Sequence, residues 1–490
     1  MITRLSVALF ACLALTSPAL AGSAPTPVVS PLAPVSGPSP FASCAVGADA
    51  AATNHLNADV EPQIAVNPTT IGTQSVNLIA VWQQDRWDDG GAHGIAAAAS
   101  FDGGATWIET SLPFTGCSAN GLSFDRASDP WVSFGPDGTA YASALVDTMC
   151  AQGPQLAGVV TAASRDGGKT WAHVQQIDNG EDDKPSITAD PTKPGVAYAV
   201  WDRADTGIFA KTSDGGVTWS KPKVIVGNPA RPLSTTGHQI VVDRKRHALD
   251  DVFGIYGTKA VHNMVCHKAS SGKKTCHTTV RLVPGKSYLL ALIRSTNGGK
   301  KWSSPIPIAE DRSVGLVGHV GLDLRSGGGI PEIAIDSTGR MYVDWPDGRF
   351  SHEQYDVVAV STSTDGGKHW KKPVAAPVPT GEQAAVPSIG VDRHGDIGVT
   401  FYGVPRMATP DLAPSVDYQF ALSHDHGAHF GTPVGVAGTF SMSGARVAAG
   451  AYFLGDYEGL AVGEDFYAVL AAADRTESGP IDVLFARVRP

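Results

Sequence analysis

Runs in which apolar and polar residues alternate recur along most of the chain. One set reads PQIAVNP (Pro62–Pro68), PWVSFGPDG (Pro130–Gly138), PSITADP (Pro185–Pro191), HQIVVDR (His238–Arg244), PEIAIDSTG (Pro331–Gly339) and PSIGVDRHG (Pro387–Gly395). A period of two that ends in a turn signal predicts a β-strand with one buried face. Each run is followed by a second predicted strand: LIAVW, AYASAL, VAYAVW, VFGIY, MYVDW and IGVTFY. A third strand then leads into a turn.

That turn is itself a repeated phrase: SFDGGATW (Ser100–Trp107), SRDGGKTW (Ser164–Trp171), TSDGGVTW (Thr212–Trp219), STNGGKKW (Ser295–Trp302), STDGGKHW (Ser363–Trp370) and SHDHGAHF (Ser423–Phe430). An Asp or Asn can bond its own backbone and cap a tight turn. The Gly two places later permits positive φ, and the closing aromatic can pack into the sheet edge. Asp102, Asp166, Asp214, Asp365 and Asp425 are therefore read as hairpin staples, not catalytic acids. Asn297 supports this, since an amide can hold a turn but cannot be a general acid.

The phrase returns at intervals of 48 (Ser164 to Thr212) to 83 residues (Thr212 to Ser295). That period suits four-stranded propeller blades with variable loops. A seventh copy lacks the turn, with strands over Tyr457–Val462, Asp465–Arg475 and Ile481–Val488. Its fourth strand is expected from the segment just before residue 61. The expected fold is all-β, a β-propeller of four-stranded blades over residues 58–490, seven blades favoured and six the alternative. The fourth unit is the loosest, with a long insertion around Asp250–Lys286.

Composition agrees: 55 Gly and 34 Pro in 490 residues suit many short strands joined by turns. A net charge of −10 without a basic stripe argues against nucleic acid as partner. Residues 1–21 read as an export signal, with Arg4, apolar Leu5–Thr16 and an A-x-A cleavage site ending at Ala21. No later apolar run is long enough to span a bilayer. Residues 22–57 read as a flexible leader with a possible closing strand. A secreted or periplasmic monomer is expected, in a compartment that permits disulfides. Cys266 and Cys276 flank one loop and are expected to staple it, and Cys117–Cys150 is the expected second pair, with Cys44 left over. No CxxC or HExxH motif points to a metal.

In a blade whose strands run A to D outward from the axis, the B–C and D–A connections share one face. Binding sites are expected there, where loops vary on a rigid scaffold. Arginines gather in these loops, Arg86, Arg203 and Arg349 among them, and Arg is suited to gripping a carboxylate through two hydrogen bonds. The competing reading is an Arg–Asp loop staple, favoured by the recurrence of WQQDRWDD (Trp82–Asp89), WDRAD (Trp201–Asp205) and WPDGR (Trp345–Arg349). Glu61, Asp129, Asp183, Glu332, Asp456 and Glu458 precede or open the first strands and are expected to ring the axis. Close carboxylates can serve as acid and base, hold a calcium ion, or simply cap turns. No other cofactor is expected.

The S-x-D-x-G-x-T-W turns resemble the Asp boxes of the sialidase (neuraminidase) superfamily, and with the strand copies the resemblance covers roughly residues 58–490. It implies a propeller and a carbohydrate-directed protein, whether an exo-sialidase-like glycoside hydrolase on acidic or complex glycans, a glycosidase with two axial carboxylates, or a non-catalytic propeller binding glycan or protein. The superfamily carries Arg-Ile-Pro on the first inner strand, where this chain reads Glu61-Pro62-Gln63-Ile64. The resemblance implies Asp88 or Asp89 as acid, Tyr457 with Glu458 as nucleophile pair (Tyr355 and Tyr402 as fallbacks), and Arg86, Arg203 and Arg349 as anion clamps. Glu61 and Glu332 are expected beside the substrate.

Overall fold

The computed structural model describes residues 26–49, 51–150, 153–204, 206–227, 233–268, 274–317, 324–406, 413–445, 447–448, 451–473 and 480–490, with only the course of the backbone at 153–154 and between 259 and 287. The expected export signal lies outside the described residues. Among them there is no α-helix, and the strands form successive antiparallel sheets, as in a propeller-like fold.

The strands fall into seven consecutive units. The first runs Val60–Val66, Leu78–Arg86, Ala92–Ser100 and Ile108–Ser111; the second runs Arg126–Phe134, Ala140–Cys150, Gly153–Ser164 and Ala172–Gln176. One residue pair, Ala92 with Ala127, joins these two edgewise. Four separate four-stranded sheets follow, opening with Asp182–Ala189, Thr235–Asp243, Glu332–Ile335 and Glu382–Val391. The last unit has Leu460–Val462, Phe466–Ala473 and Ile481–Arg489. On its outer edge sit Val28–Val29 and Ala33–Pro34, both paired with Ile481–Arg489.

The Pro/Ser/Ala-rich stretch expected as a loose leader is thus held along the last unit. Val35 and Phe41 are buried, and Cys44 forms a disulfide with Cys117. This corrects the expected Cys117–Cys150 pairing: the leader returns to the first unit and brings Cys44 to the loop after Ile108–Ser111. The Cys266–Cys276 expectation falls where side chains are not described, but the backbone register sets the two residues opposite each other. The insertion in the fourth unit is a continued hairpin, Ala248–Lys268 with Lys274–Ser295.

The repeated turn joins the third and fourth strands, and its hydrogen bonds explain its composition. Asp102 accepts from the Thr106 amide at 2.9 Å and the Thr106 hydroxyl at 2.6 Å, while Ser100 Oγ accepts from the Gly104 amide at 2.8 Å. The same pattern recurs at Asp166, Asp214, Asp365 and Asp425. Asn297 accepts from the Lys301 amide at 2.8 Å, so an amide does serve. The Gly of the phrase lets each unit approach the one before it. A Cβ on Gly168 would lie 2.7 Å from Ile79 of the first unit, and one on Gly104 would lie 2.1 Å from Phe485 of the last.

Candidate functional site

The first strands of several units share a distortion. Pairing with the second strand shifts between Val60 and Gln63, Ser128 and Trp131, Asp183 and Ser186, Thr236 and Gln239, and Ala385 and Ser388. Inside each bulge one residue adopts positive φ: Glu61 at 54°, Asp129 at 52°, Lys184 at 46°, Gly237 at 69° and Val386 at 47°. All but Gly237 immediately precede a proline. A residue before proline favours extended backbone, and left-handed geometry costs a non-glycine residue about 1–2 kcal/mol. A bulge releases the side chain from strict alternation and re-aims it. Here it turns Glu61, Asp129 and Lys184 into one cavity of about 270 Å3.

That cavity is also lined by Arg86, Asp89, Asp147, Asp183, Arg325, Phe453 and Asp456. Lys184 Nζ and Arg325 Nη1 each lie 2.6 Å from the same oxygen, Asp456 Oδ2. Arg86 donates to Gln83 Oε1 at 2.7 Å, and Gln83 donates to Glu61 Oε2. The Asp456 amide reaches Glu61 Oε1 at 3.3 Å. Phe453 lies under both guanidinium groups, 4.8 Å from Arg86 and 5.0 Å from Arg325.

The carboxyls are driven apart in acidity. Burial, with Asp129 and Asp456 nearby, pushes Glu61 up to about 8. Burial pushes Asp129 up to about 6 despite Lys184, and burial and Asp129 push Asp147 up to about 7. Asp456 moves the other way: burial opposes its charge, but Lys184 and Arg325 outweigh it. The cavity therefore holds carboxyls pushed towards the protonated form beside one pushed towards the ionised form, the combination acid–base chemistry requires.

The residues expected from the sequence are only partly brought together. Glu61, Arg86 and Asp89 line the cavity, although Asp89 is paired with Arg126 at 2.6 Å. Asp88 is not in the lining; it accepts from the Thr53 amide at 2.9 Å and anchors the N-terminal stretch. Arg203 is paired with Asp178 and with Asp182, the latter at 2.7 Å. Arg349 is paired with Asp347 at 2.6 Å. Neither lines the cavity, so the expected three-arginine clamp is not assembled. Both act as staples: Arg349 pairs with Asp347 two residues away, and Arg203 ties its strand end to Asp178 and Asp182 on the neighbouring stretch.

Tyr457 and Glu458 also separate, as neighbours on an extended backbone should. Tyr457 packs against Trp131 with ring centroids 5.4 Å apart, and its buried hydroxyl has no hydrogen-bond partner among the described residues. With Lys184, His238 and Glu332 it lines a small void of about 20 Å3. Glu458 is buried and accepts from the Tyr402 hydroxyl at 2.7 Å. That tyrosine, a fallback in the sequence reading, also engages the backbone of Ala471. Burial pushes the pKa of both Tyr402 and Glu458 well above the ordinary values, so both hold their protons. This tyrosine–glutamate pair therefore belongs to the interior, not to an open site. Glu332, also buried, accepts from Ser388 at 2.6 Å. Among the described residues no group of His, Cys, Asp and Glu is arranged to hold a metal ion, and no helix is long and apolar enough to cross a membrane.

Lys184, Asp147 and Phe453 were not anticipated, and Arg325 was not singled out among the loop arginines. Lys184 had a visible signal: it precedes Pro185 as Glu61 precedes Pro62 and Asp129 precedes Pro130.

No family model matches the chain, and no curated protein matches it. Among solved structures it is similar to a protein of unknown function from Dyadobacter fermentans, at 11% identity over 89% of this chain and 97% of that one, with a TM-score of 0.45. It is also similar to a Hadza microbial sialidase, at 14% identity over 89% of this chain and 66% of that one (TM-score 0.43). A third is an α-L-arabinanase of Penicillium chrysogenum complexed with arabinobiose, at 13% identity over 94% of this chain and 98% of that one (TM-score 0.42).

Proposed function

We propose that the chain is a secreted, carbohydrate-directed protein of the sialidase-like superfamily that hydrolyses a glycan with a carboxylate pair in the axial cavity. In this reading the seven units close into a seven-bladed ring. Support comes from Gly104, which meets Phe485 of the last unit as Gly168 meets Ile79 of the first. The Ala58–Ile481 bridge supports it too.

One observation carries the catalytic reading: Asp129 and Asp456 line the same cavity with acidities pushed in opposite directions. Asp129 is assigned as the acid that protonates the leaving oxygen, and ionised Asp456 as the base or nucleophile. Arg86, Arg325 and Lys184 give the cavity cations that suit an acidic or complex glycan. The separation of Tyr457 from Glu458 is why the carboxylate pair is preferred to a tyrosine nucleophile. The binding-only propeller keeps one observation in its favour, since Asp456 is already neutralised by two cations.

The test is a hydrolysis screen on sialosides and on plant and bacterial polysaccharides. Turnover should fall by about 10²–10⁴-fold in Asp129→Asn and in Asp456→Asn, and stay near wild type in Asp88→Asn. The rate should decline above about pH 6 as Asp129 loses its proton. Absence of turnover on every substrate, with glycan binding measurable, would sink the hydrolase and leave the binding propeller.

A further inference from the structure

A second cavity lies away from the axial one. It is a groove of about 600 Å3 between the outer strand of the fourth unit, Ile306–Glu310, and the Lys368–Pro373 turn of the fifth. Its volume is in the range of clefts that hold small organic ligands, about 300–1,000 Å3. The floor is apolar, with Leu289, Ile308 and the half-buried ring of Trp370. The Trp370 Nε1 is committed to Gly367 O at 3.1 Å, which fixes the ring.

The charge around this groove is not balanced. Arg349 is held by Asp347, and His369 is hydrogen-bonded to Asp365 at 2.6 Å. Lys368, Lys371 and Lys372 are exposed, and among the described residues none has a carboxylate within ion-pair distance. Arg312 approaches Glu310 only at 3.8 Å. Four cations thus face one carboxylate, on a chain whose net charge is −10. Such a local excess draws anions against the overall field.

We propose that this groove binds a linear polysaccharide bearing carboxylates at regular intervals, a polyuronate. Lysines are flexible point charges, suited to a row of loosely placed carboxylates. The apolar floor with its fixed indole suits the C–H faces of sugar rings. The competing occupant, an acidic peptide, would add a strand to the open edge of Ile306–Glu310. That edge is spoiled for strand addition. Pro307 has no amide hydrogen to offer, and the pairing with the third strand shifts between Leu290 and Ala291. The proposal borrows from the carbohydrate-directed reading only the choice of a sugar polymer, and it does not require catalysis at the axis.

Affinity electrophoresis of the full chain through polygalacturonate tests it, with a neutral arabinan and polyglutamate as comparison polymers. The wild type should be retarded by polygalacturonate alone, and less so as salt rises. K368E/K371E/K372E should weaken binding at least about tenfold. Lys221→Glu, at the matching turn of the third unit, should bind as wild type. Equal unfolding midpoints show that the exposed substitutions leave the fold intact. Unchanged retardation of the triple variant, or polyglutamate binding as tightly as polygalacturonate, would overturn the proposal. Failure of the axial hydrolysis screen leaves this result unaffected, so the two readings fail separately.

Discussion

Lys184 Nζ lies 2.6 Å from Asp456 Oδ2, tying the first strand of the third unit to the segment that opens the seventh. The lysine side chain is only 14% exposed and the aspartate 7%, so water screens the pair little. Burial alone would drive the proton off Lys184, yet Asp456, Asp129 and Asp183 hold its pKa above the ordinary lysine value.

Removing that lysine leaves a buried carboxylate with Arg325 as its remaining ion-pair partner. Lys184→Met is expected to lower unfolding free energy by about 3 kcal/mol, the cost of breaking a buried pair. Chemical denaturation measures it. Arg325 is 57% exposed, so Arg325→Ala should cost about 1 kcal/mol or less.

His238 sits between two buried aspartates, 2.7 Å from Asp251 and 3.4 Å from Asp202. Burial works against its charge, but both carboxylates outweigh it and raise its pKa above the ordinary 6.5. A raised histidine contributes stability that is complete below the unfolded value and is lost as pH rises through the folded one. Unfolding midpoints should therefore fall as pH climbs above 6.5 in the wild type. His238→Gln should flatten that dependence, and a slope unchanged by the substitution would contradict the ionised assignment.

The turn phrase separates two roles of glycine. Gly103 has φ of 74° with no atom nearer than 3.9 Å to a Cβ, so Gly103→Ala should cost about 1 kcal/mol from backbone strain alone. Gly104 has φ of 92° and would press a Cβ into the Phe485 ring, so Gly104→Ala should cost about 3 kcal/mol. Thermal unfolding of both variants compares them. Equal losses would show that the contact between the first and last units is not formed in solution.

The staple aspartates should tolerate an amide. Thr218 holds the Asp214 carboxyl down at about 2 through side-chain and backbone hydrogen bonds. Asp214→Asn should stay close to wild type at neutral pH, since Asn297 performs the same task. Asp214→Ala should lose about 1 kcal/mol, the net worth of a hydrogen bond, read from denaturant midpoints.

Much of the architecture was legible because it repeats. A period of two marks a strand wherever it occurs, and a phrase such as Ser100–Trp107 closes its own hydrogen bonds within eight residues. Four acids of the cavity, Glu61, Asp129, Asp183 and Asp456, were also legible, because they occupy matching places beside the first strands. The clamp and the nucleophile pair were not. Arg203 and Arg349 carry the right chemistry, but Asp178 and Asp182 hold the first and Asp347 the second where they stand.

What the sequence by itself determined is therefore local and periodic: strand phase, the staple turns and the positions that precede proline. Which of those positions meet was decided by tertiary structure. Lys184 and Asp456 are separated by 272 residues, and no local rule relates them. Only the packing of successive units places the two in one cavity, where burial favours the proton on Asp129 and the paired cations favour the charge on Asp456.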